Sequence, residues 1–419
     1  MNRVISIGFV TYGLTFIFEA ALRYGLHLVG LEPLLYGREF LLPAMTLYAL
    51  AFNTRAENVY LPLLVGCLLA LHLLVSLLYI PDARQILFGL KLIVPFLFGM
   101  FALKVADEGY RRAVPGMSCV YALTAGAIIT NYFYAFPWEG LVYYVDGVRV
   151  TANVLWWAGE ERRIAGLTRA SYDAAVYCLI SALYVTVFSR AAWVRILVWS
   201  SAGLAIAITT AKGVVLAYGI ISVILWFRNA ALGSAALSRL IWLPVTTMIL
   251  APIGSGLFAF KVDSTSPIER LLFMSYMDRI ENTWPQAFEL VANYGDFLLG
   301  RGIGGIGTPQ MFSEAVIWNW ADNLFVYAYA NFGLLALVYL LLFAHQAQRL
   351  DLKTDVDAFV FGCAMLVAVY GMTASIMEGA VLAVVFGFTA GHLIDLQRLR
   401  SLKIRAHIAT VGGWVSNTG

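Results

Sequence analysis

The chain has 419 residues, 61% of them hydrophobic and 13% charged, with a formal net charge of +3. A soluble domain is nearer a quarter charged, so a water-soluble enzyme is excluded, and the small positive balance offers no footing for nucleic acid. Apolar runs of about twenty residues recur from end to end, the length that crosses a bilayer's hydrocarbon core. No ten-residue alternating strands occur. The fold class is therefore an all-α polytopic membrane protein, built as a single membrane domain over 1–419.

In chain order, about twelve spans are predicted, over 4–21, 38–53, 59–80, 86–104, 114–136, 171–189, 193–209, 212–227, 240–260, 321–344, 357–375 and 379–396. The first run, from Ile5, lacks a small-residue cleavage site and is read as a helix that stays. The Lys/Arg bias of the short loops, with Arg3, Arg111, Arg112, Arg190, Arg228 and Arg349 on one side, places both termini inside. Two large loops, about 137–170 and 261–320, are then outside. Cys67, Cys119, Cys178 and Cys363 fall within spans, so no disulfide is expected.

The first outer loop alternates around Asp146-Gly147, a two-residue hairpin signal. The second carries a capping box at Ser266-Pro267-Ile268-Glu269. A fresh helix start at Thr283-Trp284-Pro285-Gln286 predicts a helix end near Asn282 and a second helix over about 284–293. Arg270 and Arg279 are nine residues apart, half a turn out of phase on a continuous helix, so they do not share a face. A glycine cluster, Gly300 to Gly307, follows. It matches a dinucleotide fingerprint in form but has no preceding strand, which leaves a tight turn or a close backbone approach. The spare cations outside are Arg149, Arg162, Arg163, Arg169, Lys261, Arg270, Arg279 and Arg301. Solvated surface and headgroup anchoring explain such charges, and so does an anionic substrate.

Three patches in this order carry a resemblance. They are Arg163-Ile-Ala-Gly166, Thr209-Thr-Ala-Lys212-Gly213, and Arg279…Trp284 followed by Leu299-Gly300-x-Gly302-x-Gly304, Asp322-Asn323 and Gly333. Together they resemble the O-antigen polymerase and ligase superfamily, the Wzy-like membrane glycosyltransferases. Lys212 stands where that family usually has Arg, and Ala170-Ser171 replaces its usual Pro-Asn. The resemblance implies a GT-C type bundle in a bacterial inner membrane, acting at the periplasmic face. The implied reaction moves a glycan from undecaprenyl diphosphate to a sugar hydroxyl of a second lipid-linked unit. It implies no cofactor, and as partners membrane lipids, a chain-length regulator and a flippase. Asp322 stands where the resembled ligases carry His, which favours a polymerase over a ligase.

A diphosphate leaving group gathers negative charge in the transition state, and Arg or Lys can hold it. None of the five histidines lies in either large loop, so the expectation is no metal, with Arg163, Lys212 and Arg279 as a diphosphate clamp. Lys212 opens a span, where snorkelling is the ordinary reading. Asp322 is the first candidate for a general base, with Glu314 and Glu281 as alternatives; it also sits where a helix cap would. Gly302, Gly304 and Asn323 are candidates for the glycan, and Asn323 too is a possible cap. Asp355-x-Asp357 lies on the inner side and reads as helix capping. Trp318 and Trp320 read as interface belt or sugar-stacking residues. A lipid-linked sugar transporter and a non-catalytic assembly subunit are the readings from other classes.

Overall fold

Backbone groups in an apolar stretch find partners only in one another, and a helix satisfies them within one segment. The computed structural model describes residues 3–53, 60–103, 107–145, 148–155, 157–158, 161–230, 234–257 and 276–395. Helices α1 to α7 cover Arg3–Ile17, Glu19–Leu28, Arg38–Asn53, Tyr60–Tyr79, Ala83–Ala102, Asp107–Arg112 and Val114–Phe133. Then come α8 (Ser171–Phe188), α9 (Ala192–Ile208), α10 (Lys212–Phe227), α11 (Ser234–Ser238) and α12 (Trp242–Leu257). The last five are α13 (Trp284–Tyr294), α14 (Leu324–Phe332), α15 (Leu335–Ala347), α16 (Asp355–Gly371) and α17 (Ala380–Asp395).

Among the described residues, five helical segments are long and apolar enough to cross a membrane: α4, α5, α7, α8 and Ser234–Ser255. Further apolar helices, among them α9, α10, α15 and α17, are shorter. Two predicted spans are interrupted. The stretch 4–21 breaks at Phe18, where α2 begins. The stretch 321–344 breaks at Gly333, whose φ is +59°. A Cβ there would lie 2.3 Å from the Leu298 carbonyl, so the glycine loop threads through the break.

Helices α8 and α16 form the centre. Both are buried on nearly every side, and α8 packs on α7, α9 and α16 while α10 packs on α16. By contrast α4 leaves Leu63, Leu64, Leu74, Leu77 and Leu78 exposed, a face that suits lipid. Gly387 and Gly391 of α17 form a small-xxx-small pair against α5. A Cβ on Gly387 would lie 1.9 Å from the Phe96 carbonyl oxygen, and one on Gly391 2.5 Å from that of Met100. Such close backbone approach is how helices associate where no hydrophobic effect drives them.

In the first large loop, β1 (Val142–Val145) and β2 (Val148–Thr151) pair antiparallel with Val145 opposite Val148. Positions 146 and 147 lie outside the described residues. A lone hairpin is marginal; this one docks on α2, where Tyr143 stacks on His27 at 4.8 Å and accepts a bond from Arg23 at 3.3 Å. The predicted capping box at 266–269, together with Lys261 and Arg270, also falls outside the described residues. The four cysteines are free. At the start of α16 the cap is Thr354, whose Oγ1 accepts from Asp357 N at 3.2 Å. Asp355 instead pairs with Arg228 at 3.1 Å.

Candidate functional site

The predicted helix break near Asn282 is corrected by the structure. Residues 276–294 run on as one helix, through a wide π turn over Arg279–Thr283 into α13. Trp284 N–H reaches back five residues to the Arg279 carbonyl. Proline ends a helix because it removes a bond and crowds the preceding turn. Here the ladder re-registers just before Pro285, so the chain swings past it. Trp284 anchors the turn: it is fully buried and meets Tyr276 edge-on at 5.5 Å. Isolated π turns inside α-helices concentrate at functional sites, and Arg279 opens this one.

Arg279 pairs with Asp322, Nη2 to Oδ2 at 3.1 Å. Asp322 does not cap the following helix; Asn323 does. The Asn323 Oδ1 accepts from Phe325 N at 2.7 Å and Val326 N at 3.1 Å, and its Nδ2 donates to the Met248 and Met372 carbonyls, both at 3.1 Å. That fully buried amide has spent both donors and both lone pairs, so Asn323 is a capping residue and has nothing left for a sugar. Asp322 is thereby released from the cap and turned toward Arg279. Its φ is +47° and that of Ala321 +62°. Asparagine and aspartate tolerate this left-handed region, whereas alanine rarely enters it.

Among the described residues, one other non-glycine has positive φ, Thr210 at +55°. It lies in the short turn from α9 to α10, two residues before Lys212. A β-branched residue there is strained, and such strain gathers at functional sites. Gly213 lets this turn press on α16, since a Cβ would lie 2.8 Å from the Tyr370 ring. Arg163 is held on the first large loop by Gly166, at φ +61°. Gly166 N donates to Asn131 Oδ1 at 3.0 Å, and a Cβ would meet the α7 backbone at 3.2 Å. The adjacent Arg162 is committed elsewhere: it pairs with Glu139 and donates to the Asn131 carbonyl at 2.8 Å.

These segments, far apart in sequence, converge. Arg163 and Arg279 act electrostatically on each other, and both act on Lys212. Burial pulls the Arg163 guanidinium below its ordinary pKa, an effect opposed by Tyr370 and deepened by Arg279. Lys212 is exposed, at the start of α10. Burial lifts the Asp322 carboxyl above its ordinary value, and Arg279 works against that lift. Gathering three cations is unfavourable unless an anion shares the site, and a partly buried setting strengthens that preference. The arrangement can hold a polyanion beside a carboxylate able to take a proton.

No family model, curated protein or solved structure matches the chain.

Gly302 and Gly304 lie away from this cluster. Both are buried, with φ of +80° and +89°, at the corner between α4 and α5. A Cβ on Gly302 would fall 2.3 Å from Ser76 N and 2.6 Å from the His72 carbonyl oxygen; one on Gly304 would fall 2.7 Å from that of Gln85. These glycines serve close packing, not the glycan contact proposed for them from sequence. Gly302→Ala combines a backbone clash with a forbidden φ and should cost about 3–5 kcal/mol. Thermal unfolding in detergent would show it as loss of the folded fraction; a near-native midpoint would mean the corner can open. Glu314 is also occupied, bonding Arg301 at 2.5 Å and Gln85 at 2.8 Å, and Arg301 is fully buried. Glu281 is exposed on the π turn.

Sequence reasoning missed Tyr370, which interacts with Arg163, Arg279 and Asp322 from the last turns of α16. Nothing in its apolar surroundings marked it. Glu378 lies in the short turn between α16 and α17. Its Oε1 accepts from Thr308 N at 2.6 Å, and burial first, with Asp322 adding, lifts it from 4.5 to about 7. The folded protein thus binds this proton more tightly than the unfolded chain. Its stabilising contribution is whole below pH 4.5 and is lost as pH rises through about 7. Glu378→Gln should leave stability unchanged at about pH 4 and raise it by about 1–3 kcal/mol at about pH 8. Equal unfolding midpoints for the two proteins at pH 8 would refute this.

Proposed function

We propose that the chain is a polysaccharide polymerase of a bacterial inner membrane. It crosses the bilayer about twelve times in a GT-C type bundle, with both termini inside and the Arg279 cluster on the periplasmic face. It transfers a glycan from undecaprenyl diphosphate to a sugar hydroxyl of a second lipid-linked unit. Arg163, Lys212 and Arg279 hold the diphosphate and stabilise the charge that grows as it leaves. Asp322 takes the proton of the attacking hydroxyl.

The single observation that carries the reading is the gathering of Arg163, Lys212 and Arg279 from distant segments, with the Asp322 carboxylate paired to Arg279. The sequence resemblance supplies the reaction class. Within it, an aspartate at 322 in place of a histidine favours a polymerase over an O-antigen ligase.

The test is a turnover assay on purified protein in detergent, with a polyprenyl diphosphate-linked repeat unit and a chelator present. A ladder of products that survives chelation is expected. A single transfer that needs lipid A core would mean a ligase. A folded protein that makes no product from the repeat unit of its own host would leave the transporter and assembly-subunit readings.

A further inference from the structure

We propose that Trp320 is the platform on which the acceptor's sugar ring stacks, an assignment that rests on the polymerase reading. Three observations carry it. Trp320 is half-exposed, at 50%, although hydrogen bonds of its neighbours Asn319 and Ala321 hold the loop it sits in. Its indole meets Trp318 edge-on with ring centroids 3.9 Å apart, which fixes its plane. It lies two residues from Asp322, and Asp322 N donates to the Trp320 carbonyl at 2.7 Å.

The loop is held from several sides. Asn319 Oδ1 accepts from Ala321 N at 2.7 Å, and its Nδ2 donates to the Thr283 carbonyl at 2.8 Å, tying the loop to the π turn that carries Arg279. Gln310 Oε1 accepts from Asn319 N at 3.1 Å and Gly307 N donates to the Asn319 carbonyl at 3.0 Å. A tryptophan of the interfacial belt needs no such framework, because lipid headgroups accept it in many orientations. A stacking surface does need one, since a fixed ring costs the ligand little ordering. The ligand class is a pyranose whose axial C–H bonds form one apolar face, with its free hydroxyl directed toward Asp322.

The test has two arms, both read as the difference between wild type and Trp320→Phe. In the first, tryptophan emission is followed in nanodiscs made with or without brominated phosphatidylcholine, and on adding the lipid-free repeat-unit oligosaccharide. In the second, KM and kcat are measured for an acceptor on a short water-soluble carrier, with Trp320→Ala included. The expected result is an emission change with oligosaccharide, little bromolipid quenching, and a KM about tenfold higher in Trp320→Ala at nearly constant kcat. Strong bromolipid quenching of Trp320, or an unchanged KM, overturns the platform. If no transfer occurs but the oligosaccharide still shifts Trp320 emission, the polymerase reading fails and the sugar site stands. If transfer proceeds and Trp320 is quenched by lipid, the platform alone fails.

Discussion

Replacing Arg279 by alanine is expected to lower glycan transfer by about 10²- to 10³-fold. The guanidinium pairs with the Asp322 carboxylate at 3.1 Å, and it begins the π turn. In the proposed reaction it would serve the leaving diphosphate and also orient Asp322. The substitution removes both roles, so kcat should fall with KM for the lipid-linked donor rising as well. Arg279→Lys keeps the charge but loses the planar fork that meets two phosphate oxygens at once, and should recover only part of the rate. Product ladders and release of the polyprenyl diphosphate measure it, with the unfolding midpoint as a control. A variant that folds normally and keeps more than about half of its activity would remove Arg279 from the clamp.

Asp322→Asn should cost about 10²- to 10⁴-fold in kcat with little change in KM. Asparagine matches aspartate in size, tolerates the left-handed backbone at φ +47° and can still accept from Arg279. Loss of activity would then report the missing base, not a lost fold. The wild-type rate should also rise with pH. Burial lifts the Asp322 carboxyl above its ordinary range, a base must be ionised to work, and activity is lost as pH falls through the raised value. The variant should lack that limb. If Asp322→Asn keeps its rate within about threefold, the proton goes elsewhere and Asp322 serves only to hold Arg279.

The apolar stretches were readable because helix in lipid depends on composition over about twenty residues, not on detail. The hairpin was readable because two-residue turns demand particular residues, and Asp146-Gly147 announces one. The site was readable only in part. Asp322 and Asn323 both suit an N-cap, and local chemistry does not choose between them; Met248 and Met372 do, by offering carbonyls to the asparagine amide. Gly302 looked like a ligand contact because the partner that needs its bareness, the α4 backbone at Ser76, lies over two hundred residues away in sequence. The pressing of Gly387 and Gly391 on α5 went unread for the same reason. The π turn went unread because Thr283-Trp284-Pro285 carries the marks of a helix start, and the burial of Trp284 overrides them.

That wide turn has a consequence for how variants of this chain should be compared. A π turn is an α-helix carrying one residue too many, and each extra residue rotates all that precedes it by about 100°. The direction in which Arg279 points is thus governed by a count of residues as well as by their identity. Deleting a single surface residue from this turn, such as Asn282, would leave Arg279, Trp284 and Asp322 all present and still swing the guanidinium round the helix. A lineage that lost that residue would keep every recognisable motif and no longer bring them together.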